Sequence, residues 1–350
     1  MNEDRKNEWL INRKKFKASL SAKNLFEKLI LGDKTALSTS ITLLESALVS
    51  DQEKAKELLD LCLPFSGKSF RIGITGIPGV GKSSFIEEFG KIVCEKGHKL
   101  AVLAIDPSSE KTGGSILGDK TRMQDLSVRE DVFIRPSAAG STLGGVARKT
   151  RETILLCEAA GFDSILIETV GVGQSEIMVH SMVDFFLLLL LTGAGDELQG
   201  IKRGIMEMAD GLVVTKADGE NKKRAQLTIR EIKNAIHLFP PTENGWIPEV
   251  KACSSLLKEG LDEVLEMILR FESHAKINGS FENKRNSQEQ YWMHETLKEL
   301  LVRGLMSSNG IANQIKSMET KVKNRQISSF DAAQLIYDEY LANIKKNGTN

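Results

Sequence analysis

From about residue 69 onward, short apolar runs alternate with amphipathic stretches. The runs are Phe70–Thr75, Leu100–Ile105, Val132–Ile134, Ser164–Ile167, Phe185–Leu191, Leu212–Val214 and Glu249–Ala252. Between several of them lie Ser83–Glu95, Arg148–Ala160, Lys222–Ile236 and Leu261–Phe271, with apolar residues at helical spacing. Strand, helix, strand repeated in this way predicts a mostly parallel sheet covered on both faces. Right-handed crossovers bring the loops that follow the strands to one edge of the sheet, where ligands bind. Phe185–Leu191 is apolar without interruption but falls far short of the roughly 20 residues a membrane span needs, so it predicts a buried strand.

The ends of the chain have a different rhythm. Residues 1–68 read as helical, with Leu25, Leu29 and Ile30, and later Leu43, Leu44, Ala47 and Leu48, at helical spacing. Ser40 and Asp51 are candidate helix ends. Leu63-Pro64-Phe65-Ser66-Gly67 marks a junction. The polar stretch 276–287 (KINGSFENKRNS) reads as a linker. Helices are expected over Tyr291–Leu305 and Asp331–Ile344, the first broken by the cluster Ser307-Ser308-Asn309-Gly310. The organisation expected is an N-terminal helical extension (1–68), a nucleotide-binding domain (69–275) and a C-terminal helical extension (276–350). The apolar stripe Trp292, Met293, Leu297, Leu300 and Leu301 suits either a helical core or a dimerisation arm.

Composition narrows the function classes. Of 350 residues, 41% are hydrophobic, enough for a substantial core. Lys and Arg total 47, as do Asp and Glu, so no global field holds a polyanion. Nucleic-acid and membrane-surface binding are therefore disfavoured. Cys62, Cys94, Cys157 and Cys253 form no CxxC pair and read as reduced core thiols of a cytoplasmic protein. The histidines have no metal-ligand spacing, which argues against a zinc site. The first residues resemble neither a secretory signal nor a transit peptide.

The most specific chemistry is Gly76-Ile77-Pro78-Gly79-Val80-Gly81-Lys82-Ser83, followed by Ser84. It follows a predicted strand and opens a predicted helix, as a phosphate-binding P-loop requires. Glycines let successive backbone N–H groups turn toward phosphate oxygens, and the helix behind adds its N-terminal dipole. Lys82 supplies a full charge, and the Ser83 hydroxyl suits a Mg²⁺ ligand position. The fold class expected is an α/β P-loop NTPase flanked by helical extensions at both ends.

Mg²⁺ needs hard oxygen ligands. Asp106 and Glu168 each end a predicted strand on the edge that carries the loop. Either could hold the metal directly or through water, or could serve as a helix cap. After Glu168, the Gly171 N–H could sense the γ-phosphate and relax when it leaves. Gln174 could orient the attacking water, or could simply be solvated. Lys82, Glu168 and Gln174 are thus the candidate catalytic residues.

Val213-Val214-Thr215-Lys216-Ala217-Asp218 ends a further strand and is similar to the guanine-reading motif Asn-Lys-x-Asp. The Asp218 carboxylate can accept from guanine N1 and N2, whereas adenine would leave it unpaired at a cost. The Lys216 stem would pack on the ring. Thr215 stands where Asn is usual, and the expected consequence is loss of an amide that ties neighbouring loops together. Cys253, Ser254 and Ser255 are candidates for the companion loop beside the base.

With these residues in place, the chain resembles the GTPase chaperones of methylmalonyl-CoA mutase (the MeaB, ArgK and MMAA family). The resemblance runs through the phosphate loop, 104–109, 113–123, 135–137, 144–147, Glu168–Glu176 and Gly193–Lys202. It implies a homodimeric, Mg²⁺-dependent GTPase that binds GTP and GDP. Its partner would be an adenosylcobalamin-dependent methylmalonyl-CoA mutase, whose cofactor loading it gates and which it protects from inactivation. It also implies that Gly193–Lys202 is a third switch responding to the partner. Thr192 stands where the family has proline, a change expected to soften that switch. The alternatives are a metal-delivery GTPase, which would need a Cys/His cluster, and a nucleotide-dependent transport-protein kinase, which would need a protein-substrate site.

Overall fold

The computed structural model describes residues 21–105, 123–135, 143–169, 175–193, 203–240, 242, 244–308 and 310–347. The described part begins with three helices, α1 (Ala22–Leu29), α2 (Lys34–Glu45) and α3 (Val49–Cys62). Asp33 caps α2 by accepting from the Thr35 and Ala36 N–H groups at 2.7 and 3.1 Å. Ser40, expected at a helix end, instead lies inside α2 and donates to the Ala36 carbonyl at 2.8 Å. A mid-helix serine satisfies itself in this way, so its presence is no boundary signal. Asp51 sits in the first turn of α3, where it accepts from Ser46 Oγ at 2.6 Å. A single 3₁₀ turn, Leu63–Phe65, closes the extension.

The sheet then alternates with helices: β1 (Phe70–Gly76), α4 (Lys82–Glu95), β2 (Leu100–Ile105), α5 (Gln124–Ser127), β3 (Val132–Arg135), α6 (Leu143–Ala159), β4 (Ser164–Thr169) and α7 (Ser175–His180). It continues through β5 (Phe185–Leu191), α8 (Arg203–Glu207), β6 (Gly211–Thr215), α9 (Asn221–Ile236), β7 (Glu249–Ala252) and α10 (Leu261–Ile277). Every pairing is parallel, in the order β3-β2-β4-β1-β5-β6-β7. Strand β5 lies between β1 and β6 with both faces covered, which is why its sequence is continuous Phe and Leu rather than alternating. One face is filled by Phe85 and Phe89 of α4 and by Phe271 of α10, the last meeting Phe185 edge-on at 5.0 Å. The other face packs Leu188, Leu190, Leu212 and Val214 against Ala225 and Ile232 of α9.

The expected linker at 276–287 is helical. Helix α10 runs to Ile277, Asn278 and Gly279 form the break, and α11 begins at Ser280 and continues to Ser307. Its polar side chains find partners in the protein body rather than in solvent. Arg285 pairs with buried Asp184 at 2.7 Å and donates to the Gly67 and Ser69 carbonyls. Lys284 donates to the Asp184 carbonyl at 2.7 Å, and Gln288 to that of Val183 at 2.8 Å. Phe281 stacks on Phe70.

The chain divides into two compact units, Met1–Gln288 and Glu289–Asn350. In the second, α12 (Ile311–Lys323) and α13 (Ser329–Asn347) pack on each other. Trp292 is buried, while Met293, Leu297, Leu300 and Leu301 are exposed.

Candidate functional site

Strand β1 ends in Gly76, where a Cβ would come within 2.6 Å of the Leu189 carbonyl oxygen. Only glycine lets the chain leave the sheet this close to β5. Gly81 (φ 99°) supplies the left-handed turn that starts α4. Between them Val80 is buried and pins the loop, while Pro78 and Gly79 are exposed and Ile77 is half-buried. Lys82 opens α4 almost fully buried, its Nζ donating to the Gly76 and Ile77 carbonyls at 2.8 and 3.3 Å. Burial pushes its proton affinity below the usual lysine range, and Glu168 and Glu176 pull in the opposite direction.

Ser83 is half-buried in the first turn of α4, beside exposed Ser84. Its hydroxyl lies 3.4 Å from Glu168 Oε1. Strand β4 brings Glu168 there, because register pairs it with Ile74 of β1 on one side and Ala104 of β2 on the other. The next residue, Thr169, donates through its buried hydroxyl to Thr75 Oγ1 at 2.9 Å and locks the two strand ends. A hydroxyl and a carboxylate meeting beside a lysine form a hard-oxygen donor pair that fits Mg²⁺. Asp106, Gly171 and Gln174 lie outside the described residues, as do 194–202.

The base-side loop is built on the ends of β6 and β7. The Thr215 hydroxyl donates to the Val80 carbonyl at 2.7 Å and approaches that of Leu190 at 3.2 Å. The Asn amide is absent as expected, but the hydroxyl that Thr215 keeps ties the loops in its place. Thr215 is the last residue of β6 and is buried, so its short hydroxyl already reaches the phosphate loop. Lys216, with φ 54°, turns over the same loop, and its Nζ donates to the Gly79 carbonyl at 2.8 Å. Asp218 accepts from Ser254 Oγ at 2.6 Å, and Ser254 Oγ also accepts from the Leu257 N–H. Ser254 therefore aims the candidate guanine-reading carboxylate. Cys253 contributes backbone only, its carbonyl accepting from Ala217 N–H at 3.0 Å. Its thiol is buried, which pushes its pKa up to about 12 and leaves it an inert core group. Ser255 is half-buried beside Ser254.

Lys82, Ser83, Glu168, Thr215, Lys216, Asp218 and Ser254 are thus brought to one edge of one sheet. Two residues that sequence reasoning passed over join them. Thr228 of α9, buried, accepts from the Gly193 N–H at 3.1 Å and holds the start of the 193–202 segment. Glu176 is buried at the start of α7, within electrostatic reach of Lys82. Its only signal in the sequence is an acid shortly after the Glu168–Gly171 stretch.

Parallel strand ends carrying a lysine-bearing phosphate loop, an acid beside its serine and a Lys-x-Asp loop define a P-loop GTPase. The chain belongs to the methylmalonyl Co-A mutase-associated GTPase MeaB family, whose model matches residues 37–309. It is 48% identical over 90% of its length to a putative GTPase of Caulobacter vibrioides, covering 96% of that protein. It is 44% identical to the mouse mitochondrial methylmalonic aciduria type A homolog, over 89% of this chain and 78% of that one. Among solved structures, a protein titled LAO/AO transport system kinase superposes with a TM-score of 0.72 at 33% identity, covering 91% of this chain and 96% of that one.

Proposed function

We propose that this protein hydrolyses GTP to GDP and phosphate with Mg²⁺ and uses the cycle to serve an adenosylcobalamin-dependent methylmalonyl-CoA mutase, gating cofactor loading and protecting the enzyme. The observation that carries the reading is the meeting of the phosphate loop with two base-side ties, Thr215 to Val80 and Lys216 to Gly79, so that base and phosphate recognition share one backbone. Lys82 and the loop N–H groups would hold the β- and γ-phosphates, and Asp218, aimed by Ser254, would read guanine. Ser83 and Glu168, with Asp106 from the sequence pattern, would hold Mg²⁺, which supplies charge neutralisation on the phosphate oxygens when bound. The segments beginning after Ile105, Thr169 and Gly193 follow strand ends at this edge, where a γ-phosphate can bias two conformations through different contacts in each.

The exposed apolar side chains of α11, Met293, Leu297, Leu300 and Leu301, support a homodimer. Four buried free thiols support a cytoplasmic setting. Among the described residues no helix is long and apolar enough to cross a membrane. Nor do three His, Cys, Asp or Glu side chains gather there into a metal-delivery cluster. The test is phosphate release from Mg·GTP by the full chain, alone and with a methylmalonyl-CoA mutase. Slow release alone and faster release with the mutase is expected. An unchanged rate beside the mutase, or phosphate transferred to a protein instead of water, contradicts the reading.

A further inference from the structure

Helix α7 lies across β1 and β4, and it lies close. Gly73 of β1 has no Cβ, and one built there would come within 2.7 Å of Val179 Cγ1. The helix follows β4 and therefore starts at the edge that carries the phosphate loop. Glu176 is one turn nearer that edge than Val179, about 5 Å along the axis. This places it at the level of Thr75 and Gly76, beside the loop that Lys82 closes.

Glu176 is 3% exposed, and its Oε2 finds no hydrogen-bond partner among the described residues. The adjacent Ser175 Oγ is fully buried and equally unpartnered there. A fold rarely keeps two neighbouring polar groups dry and unbonded without a use for them. An acid on the solvent side of α7 would have been simpler for stability. Glu176 as well as Glu168 lies within electrostatic reach of Lys82, the ammonium that would grip the γ-phosphate. Among the described residues they differ in their surroundings, since Glu168 Oε1 lies 3.4 Å from the Ser83 hydroxyl and Glu176 Oε2 has no hydrogen-bond partner. Two acids with different surroundings at one site are the usual sign of different roles.

We infer that Glu176 is a catalytic residue, the acceptor that orients the attacking water and takes its proton during GTP hydrolysis. The inference rests on the GTPase reading above and deepens it. In the step, the water oxygen forms a bond to the γ-phosphorus. The bond from that phosphorus to the β–γ bridging oxygen breaks, and its electron pair leaves with GDP. One water proton passes to the Glu176 carboxylate and then to solvent, and the other stays on the released phosphate. Ser175 Oγ offers the same water a second contact. Lys82, within electrostatic reach of both acids, would offset the repulsion that Glu176 otherwise exerts on the triphosphate.

The test compares the full-length parent with Glu176→Gln and Glu176→Ala in single-turnover phosphate release at saturating Mg·GTP. Affinities for GTP and GDP, melting temperature and Mg²⁺ dependence are measured beside it. The Gln variant keeps the shape and removes the proton acceptor. Its release rate is expected to fall on the order of 100-fold, with GTP affinity within roughly threefold of the parent. Added formate is expected to restore part of the rate of the Ala variant. A Gln variant that releases phosphate at the parent rate overturns the inference and leaves the GTPase reading standing. So does a loss that high Mg²⁺ reverses, which would make Glu176 a metal ligand, or an equal loss of GTP and GDP affinity with a lowered melting temperature, which would make it structural. A parent that releases no phosphate from GTP even beside the mutase overturns both.

Discussion

The two edges of the sheet handle polar groups in opposite ways. At the edge where the strands begin, charges are buried in matched sets. Glu158 takes the Gly67 N–H, the Ser69 hydroxyl and the Arg71 guanidinium at 2.6–3.0 Å. Asp184 takes the Arg71 N–H and the fork of Arg285. At the edge where the strands end, Lys82 leans on backbone carbonyls, Ser83 and Glu168 are 3.4 Å apart, and Glu176 Oε2 has no hydrogen-bond partner among the described residues. A carboxylate that already has its partners stabilises the fold and has nothing left for a ligand. One that is buried and short of partners costs stability and is free to act. The same residue types therefore serve as clamps at one edge and, on the proposed function, as chemistry at the other.

Substitutions at the two edges should separate stability from nucleotide binding. The largest effect is expected for Arg285→Ala, which strands Asp184 with only part of its partners. Unfolding free energy should fall by about 3 kcal/mol in urea titrations, with GTP affinity of the folded fraction unchanged. Lys82→Ala should do the reverse. Mg·GTP affinity drops on the order of 100-fold, about 2.7 kcal/mol, while the urea midpoint stays in place or rises. Thr215→Val keeps the shape but leaves the Val80 carbonyl without its donor. It should cost about 1–2 kcal/mol of stability and weaken GTP roughly tenfold, a mixed result because that bond joins fold to loop.

The smallest effect concerns a half-buried clamp further along α4, where Lys91 holds Glu88 at 2.9 Å and exposed Asp125 of α5 at 2.8 Å. Burial works against the Glu88 charge, but Lys91 and Lys258 overcome it and hold its carboxyl below the usual range. Lys91 does the same for exposed Asp125. Carboxyls depressed in the folded state stabilise it above their unfolded pKa, and that contribution is lost as pH falls through the folded value. The parent should therefore lose more stability between neutral pH and pH values below the carboxylate range than Lys91→Met does. The comparison is read from urea midpoints at both ends.

Much of this fold is legible in the sequence because a parallel sheet buried on both faces writes its strands as apolar runs. All seven expected runs are strands, shifted by at most two residues. The phosphate loop is legible because its glycines and lysine have few substitutes. The helix over 280–288 is not, since Lys284, Arg285 and Gln288 read as solvent-seeking until Asp184 and Val183 are seen to receive them. Thr215 misleads for a related reason: a missing amide is visible in sequence, but the 2.7 Å reach of a hydroxyl to Val80 is not. Glu176 is hidden because burial, not identity, separates it from an ordinary helix-opening acid.

The whole reading rests on one edge of one sheet selecting guanine through a carboxylate and triphosphate through a lysine loop. The most direct measurement is equilibrium binding of labelled Mg·GTP to the full chain, with unlabelled ATP and GTP as competitors. One GTP bound per chain, displaced by GTP and not by a large excess of ATP, is the expected result. Displacement by ATP as readily as by GTP, or no binding at all, contradicts it.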